Sequence, residues 1–194
     1  MADSLDSPLA RNLRTIFLDR DGVVNEKMPE GQWVTKWADF HVLPGVPDAI
    51  AKMNRAGLRV LVASNQRGIA LGRLSAADVE AMQAAFQKLL KAHGAHIDAF
   101  YFCPHDRLEC NCRKPLSGMF EQARGEFPEI SAATSAMIGD SLPDMEFGRR
   151  LGMLTIFIEG AREIQSPGAQ KALQIANMRF DSLPDAVSAL LDRR

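Results

Sequence analysis

Five short apolar runs recur along the chain, and each stops at small or polar residues: RTIFLD (14–19), LRVLVAS (58–64), IDAFYFC (97–103), SAMIGD (135–140) and LTIFIEG (154–160). They are apolar at nearly every position rather than at alternate ones, which is the pattern of strands covered on both faces. The stretches between them have helical periodicity. Val46 to Ala56 places Ile50, Met53 and Asn54 at turn spacing, with Gly57 as a stop. Ser75 to about His93 opens with Ser75 and Asp78 in a capping pattern and lines up Val79, Met82, Phe86, Leu89 and Leu90. Further helices are expected over Ser117–Phe127 and Pro143–Leu151. The segment MRFDSLPDAVSALL reads as a short edge strand and a closing helix capped by Ser182. Such alternation predicts an α/β fold with a doubly wound, mainly parallel sheet and right-handed crossovers.

At 194 residues the chain suits one domain, expected over 14–194 after a flexible N-terminal lead-in over 1–13. A net charge of −1 gives no global basic field, so no nucleic-acid partner is expected. The apolar runs are strand-length and too short for a bilayer, so no membrane is expected either. The N-terminus lacks an apolar signal core, which makes the cytoplasm the expected compartment and a monomer acting on a small molecule the simplest form. Three cysteines cannot pair among themselves.

In a parallel sheet, ligands bind beyond the carboxyl ends of the strands. The first run ends in Asp19-Arg20-Asp21-Gly22 and the second in Ser64-Asn65-Gln66. The third leads to a loop carrying Arg113-Lys114, and the fourth ends in Gly139-Asp140. The topology therefore collects carboxylates, a hydroxyl, an amide and a lysine at one edge. Taken singly, an Asp-x-Asp pair after a strand also serves as a turn or a cap. Together the residues form a set of hard oxygen donors suited to Mg²⁺, with Lys114 as a fixed cation. That combination suits phosphoryl transfer, in which one Asp attacks phosphorus and another handles the leaving-group proton. The Pro29–Trp37 stretch is the expected functional loop between the first strand and first helix. Trp33, Trp37 and Phe40 either line the cleft rim or pack beneath that loop.

All three cysteines and one of the four histidines fall within YFCPHDRLECNCRKP, where Cys103, His105, Cys110 and Cys112 form a C-x-H-x4-C-x-C array. Four soft ligands within ten positions match a closed, structural Zn²⁺ site over 103–112. Buried free thiols are the competing reading, and a redox pair is disfavoured because no C-x-x-C occurs. A zinc clamp would fix the direction in which Arg113 and Lys114 leave the loop.

IFLDRDGVVNE resembles the first motif of the haloacid dehalogenase (HAD) superfamily of aspartyl-phosphate-forming phosphatases. VLVASNQ resembles the second motif, CRKP the third and MIGDSLPDM the fourth. The resemblance implies a HAD-like Rossmannoid core with Asp19 as nucleophile and Asp21 as general acid/base. It also implies Ser64 and Lys114 on the phosphoryl oxygens with Asn65 beside them, and Mg²⁺ bound by Asp19, Asp140 and the backbone carbonyl of Asp21. Asp144 would orient the site without ligating the ion. The 45-residue span from first to second motif leaves room for only a minimal cap. The zinc loop followed by CRKP is similar to that of phosphatases acting on D-glycero-D-manno-heptose 1,7-bisphosphate at C7, or on histidinol phosphate, and implies that Arg113 recognises substrate. Arg67, Leu71 and Ser141 depart from the pattern of the heptose enzymes. A non-catalytic zinc-stapled binding module is the alternative from another class.

Overall fold

The computed structural model describes residues 12–160 and 168–192. Six strands form one all-parallel sheet: β1 (Thr15–Leu18), β2 (Arg59–Asn65), β3 (Ala99–Cys103), β4 (Ser135–Gly139), β5 (Leu154–Ile158) and β6 (Met178–Phe180), in the order β3-β2-β1-β4-β5-β6. The helices are α1 (Val46–Arg55), α2 (Ala76–Ala92), α3 (Gly118–Glu126), α4 (Leu142–Leu151), α5 (Ala169–Ile175) and α6 (Leu183–Leu191), with 3-10 turns at Trp37–Asp39 and Ala132–Thr134. Residues 1–11 of the expected lead-in lie outside the described residues, whereas Leu13 is already buried. Among the described residues no helix is long and apolar enough to cross a membrane.

The alternation of side chains along each strand divides the core in two. Ile16, Leu18, Val60, Val62, Ala136, Ile138 and Ile156 face α1, α2 and α6. Phe17, Leu61, Ala63, Met137 and Phe157 face α3, α4 and α5. Both faces are covered, which is why the strands read as continuous apolar runs rather than as alternating ones. Phe17 lies edge-on to Phe147 of α4 at 6.4 Å and tilted against Phe120 of α3 at 5.9 Å, so one side chain joins two helices to the central strand.

Local chemistry sets the helix limits. Ser75 and Asp78 form a reciprocal capping box at the start of α2. Ser182 accepts from the Asp185 amide at the start of α6. Gly152, at φ 80, ends α4 in the left-handed region that only glycine enters freely. Of the predicted stripe on α2, Val79, Met82, Phe86 and Leu90 are buried while Leu89 is half-buried. One helix was not expected, α5: its seven residues, AQKALQI, are too few and too mixed to show a clear period.

The chain order changes direction between β1 and β4, which lie side by side in register from Thr15↔Ser135 to Leu18↔Ile138. This is the topological switch point, where two consecutive crossovers leave a crevice at the carboxyl edge. Asp19 and Asp140 stand immediately beyond these two strands.

Candidate active site

The crevice is a cleft of ≈ 310 Å³ whose lining joins Asp19, Asp21, Ser64, Lys114, Asp140 and Asp144 to the loop from Met28 to Val34. The expected loop after β1 therefore does border the site. Trp33 lines it, whereas Trp37 stacks on Phe40 at 5.2 Å and Phe40 packs against Phe86 at 5.5 Å.

Lys114 is at the centre, only 2% exposed. Its Nζ lies 2.8 Å from Asp19 Oδ1 and 2.5 Å from Asp144 Oδ1, and it donates to the Ala63 carbonyl at 2.6 Å. Burial works against its charge, but Asp144 and Asp19 outweigh burial and raise its pKa above the ordinary lysine value. The other oxygen of Asp144, Oδ2, accepts from the Ser141 amide at 3.1 Å and from the Ser141 hydroxyl at 2.5 Å. Asp144 thus ties the first turn of α4 to Lys114, and Ser141 is occupied as that helix's cap.

Asp140 has a different partner, Lys27, whose Nζ is 2.5 Å from Oδ2. Its Oδ1 is buried without a hydrogen-bond partner. Burial, with Asp19 and Asp144 adding to it, pushes the Asp140 carboxyl up to about 7 despite Lys27. Burial and the Asp144 charge likewise push Asp19 up to about 6, against the pull of Lys114. Two ammonium groups thus face three clustered carboxylates whose oxygens lie within 4.8 Å of one another. A buried anionic excess and an orphan carboxylate oxygen are what a hard divalent cation would satisfy, so the donor set fits Mg²⁺. Glycine makes the close approach possible: a Cβ at Gly22 (φ +93) would fall 2.4 Å from Asp140 Oδ2.

Asp21 is gripped by side chains that sequence reasoning did not connect to it. Arg20 donates from Nη2 to both carboxylate oxygens at 2.9 Å and from Nε to Oδ1 at 3.2 Å. Asn25 Nδ2 donates to Oδ1 at 2.9 Å and Gln66 Nε2 to Oδ2 at 3.2 Å. Burial alone would raise the Asp21 pKa, but Arg20, Asn25 and Gln66 together hold it below the usual carboxylate value. Gln66 also donates to Ser64 Oγ at 2.7 Å, linking the two strand ends.

The side-chain amide of Asn65 is fully engaged with the backbone of Lys114. Arg113 is half-exposed on the cleft wall, its Nη1 3.4 Å from the His105 carbonyl. Arg67 also lines the cleft and pairs with Asp106 in a two-pronged fork. No local signal in the sequence announces the Lys27–Asp140 and Arg67–Asp106 pairs, which join segments far apart in the chain.

Behind Lys114 the Cys-rich loop closes on itself. Cys103, His105, Cys110 and Cys112 bring their donor atoms within 4.8 Å of one another, with no disulfide. The Sγ atoms of Cys103 and Cys110 are 3.5 Å apart and those of Cys110 and Cys112 3.3 Å, while His105 Nδ1 lies 3.3 Å from Cys112 and 3.8 Å from Cys103. A tetrahedron of thiolates at Zn–S distances of about 2.3 Å has edges of about 3.8 Å, so the set fits zinc with a small outward movement.

The family model described as polynucleotide kinase 3 phosphatase matches residues 14–153. A D-glycero-alpha-D-manno-heptose-1,7-bisphosphate 7-phosphatase of Mycobacterium tuberculosis is 35% identical over 169 residues, covering 87% of this chain and 86% of that protein. A D-glycero-beta-D-manno-heptose-1,7-bisphosphate 7-phosphatase of Pseudomonas aeruginosa is 33% identical, covering 91% and 97%. Among solved structures, the D,D-heptose 1,7-bisphosphate phosphatase of B. bronchiseptica, complexed with magnesium and phosphate, aligns with a TM-score of 0.82 at 28% identity, over 94% of this chain and 100% of that one. The matched span begins just before β1 and runs past α4, so it takes in every residue that meets at the cleft floor. On these grounds the chain belongs to the polynucleotide kinase 3 phosphatase family of HAD-type phosphatases.

Proposed function

We propose that the chain is a Mg²⁺-dependent phosphomonoester hydrolase that removes the C7 phosphate from D-glycero-D-manno-heptose 1,7-bisphosphate through an aspartyl-phosphate intermediate. The observation that carries this reading is the juxtaposition of Asp19, Lys114 and Asp140 at the switch point, in a chain whose curated relatives act on that sugar. Asp19 is the nucleophile. One of its oxygens bonds to phosphorus as the ester P–O bond breaks, and the departing alkoxide takes a proton from Asp21. Water then attacks the phosphorus of the aspartyl phosphate, Asp21 accepts the water's proton, and the Asp19–phosphorus bond breaks to release phosphate.

In this reading Lys114 and Ser64 meet the phosphoryl oxygens, which is supported for Lys114 by its place as a buried cation beside Asp19. Asp21 is ionised while Arg20 holds it, which suits the base half of the cycle. In the acid half its carboxyl must exchange the Arg20 contacts for the ester oxygen. Asp19, Asp140 and the Asp21 carbonyl would hold Mg²⁺, and Asp144, with both oxygens committed to Lys114 and Ser141, would not. When bound, that ion supplies the positive charge that lets a phosphate dianion approach the carboxylates.

Zinc at Cys103, His105, Cys110 and Cys112 is structural in this reading, since protein atoms fill all four positions. The enzyme is proposed to act as a monomeric, cytoplasmic single unit over 14–194 on small phosphorylated substrates. Phosphate release with and without Mg²⁺ tests the reading on both anomers of heptose 1,7-bisphosphate, histidinol phosphate and a 3′-phosphorylated oligonucleotide. The heptose substrates should be turned over with the highest kcat/KM. Preference for histidinol phosphate or the oligonucleotide would overturn the substrate assignment, and Mg²⁺-independent turnover would overturn the mechanism.

A further inference from the structure

The donors behind Lys114 are not equally sheltered. Cys103 and Cys112 are buried, whereas Cys110 is only half-buried. Nor are they equally anchored. Cys103 ends β3, where it pairs in register with Asn65 and its carbonyl accepts the Gln66 amide at 2.8 Å. Cys112 is backed by α3: the Asn111 carbonyl accepts the Gly118 amide at 2.9 Å, and a Cβ at Gly118 would fall 2.7 Å from Cys112 Cα. Cys110 makes no hydrogen bond from main chain to main chain among the described residues. Of the three cysteines it is the one that solvent reaches and that can move. Exposure decides which thiol meets an oxidant first.

The chain has no C-x-x-C, yet the fold supplies what that spacing would. Cys110 Sγ lies 3.5 Å from Cys103 Sγ and 3.3 Å from Cys112 Sγ, so an oxidised Cys110 already touches a second thiol. Joining Cys110 to Cys103 takes a closing of about 1.5 Å, down to a disulfide bond of about 2.05 Å. Cys112 is as near, but a bridge across one intervening residue fits the preferred disulfide torsion poorly.

We propose that this cluster is a redox switch on the phosphatase: hydrogen peroxide oxidises Cys110, Cys103 closes on it as a disulfide, and the loop that presents Lys114 comes loose. The inference goes beyond the reaction proposed above, and it rests on that reading and on the zinc reading. The Cys110 thiolate attacks the peroxide and the O–O bond breaks. Cys110 becomes a sulfenic acid and one hydroxide leaves. The Cys103 thiolate then attacks the Cys110 sulfur, the S–O bond breaks and a second hydroxide leaves. The thiolate pair gives up two electrons, and the peroxide is reduced to two hydroxides. His105 and Cys112 remain, two donors where a closed zinc site needs four, so the ion is released. Lys114 follows Cys112 by two residues and loses this clamp, while the Asn65 amide still holds its backbone. The loss of activity should therefore be partial.

The test treats the full chain, loaded with zinc and Mg²⁺, with hydrogen peroxide. Released zinc is read with a chromogenic chelator, and thiol pairing by mass spectrometry after alkylation. About one zinc per chain should leave as a Cys103–Cys110 bond forms, two hydrogens lighter than the thiol pair. Phosphate release should fall about tenfold or more and return with a dithiol reductant and zinc. Such a reductant does not repair methionine sulfoxide, so recovery isolates the thiols from the methionines. In Cys110→Ser the dithiol-reversible part of the loss should vanish.

Zinc that stays bound, zinc that leaves without the Cys103–Cys110 bond, or full activity in the bonded form would each overturn the switch. A reversible loss that persists in Cys110→Ser would do the same. A parent protein that holds no zinc yet forms the bond and loses activity would remove the zinc reading and leave the switch standing. Normal behaviour of the switch in a protein that turns over no heptose bisphosphate would remove only the substrate assignment.

Discussion

Asn65 clasps the backbone of Lys114 from both sides: its Oδ1 accepts from the Lys114 amide at 3.0 Å and its Nδ2 donates to the Lys114 carbonyl at 3.1 Å. The pair closes a ring between the end of β2 and the segment after the Cys-rich loop. Lys114 can then reach across the sheet edge to Asp19 with its main chain fixed. Replacing Asn65 with Ala should leave two backbone groups unpaired and cost about 1–3 kcal/mol in stability. It should also lower kcat by about 10- to 100-fold by letting the ammonium drift. Chemical denaturation and steady-state kinetics on the same preparation check both.

Lys114→Ala should be more damaging. It strips the partner from Asp19 and Asp144 together, and removal of one member of a buried ion pair costs about 3–5 kcal/mol. Turnover should fall below detection even where Mg²⁺ restores part of the melting temperature.

Asp19→Asn should reduce turnover by at least about 10⁴-fold, the scale of losing a covalent nucleophile. Acid quenching during turnover should leave phosphate on the Asp19 peptide of the parent protein and none on that of the variant. Phosphate found on another residue would dismiss the mechanism.

The pH dependence has a definite sign. Asp19 and Asp140 are pushed up to about 6 and about 7, both above the usual carboxylate value, chiefly because each is buried, with the Asp144 charge adding to both. A raised carboxyl pKa contributes stability that is fully present below the unfolded value near 4 and is lost as pH rises through 6 and 7. The metal-free protein should therefore lose this contribution over that window. Mg²⁺ binds the ionised forms, so its stabilising effect should run the other way, small near about pH 5 and larger near about pH 8. Thermal unfolding with and without Mg²⁺ across this range measures it. A Mg²⁺ effect that is larger in acid would contradict the ligand assignment.

Cys110→Ser should lower the zinc content from about one ion per chain and expose residues 103–112 to proteolysis. It should reduce activity by about tenfold or more while leaving Mg²⁺ affinity within about twofold. Metal analysis, limited digestion and Mg²⁺ titration separate these effects.

Much of this architecture is written in local patterns. Both-face apolar runs located five of the six strands to within two or three residues, because burial on two sides suppresses alternation over the whole strand. The capping of α2 and α6 was legible since Ser75 and Asp78, or Ser182 and Asp185, interact three residues apart. The gathering of Asp19, Ser64, Lys114 and Asp140 followed from topology, as did the Cys3His cluster from its spacing. What was not legible depends on side chains meeting across the fold. Lys27 meets Asp140 113 residues away, and Arg67 reaches Asp106 across 39. Nor could the sequence say that the Asn65 amide would clasp the Lys114 backbone. Helix α5 escaped notice for the opposite reason: seven residues carry too little periodicity to stand out.

The two carboxylate-bearing turns at the switch point are held apart by the most rigid ruler a protein has. The Asp19 amide donates to the Ile138 carbonyl at 2.9 Å, so the spacing of the reacting groups is set by main-chain pairing of central strands. Arg107 and Arg113, which also line the cleft, are carried instead on the Cys-rich loop between β3 and α3. A change in that loop which spares Cys103, His105, Cys110, Cys112 and Lys114 leaves the spacing of Asp19 and Asp140 untouched, because no residue of the loop enters the pairing of β1 with β4.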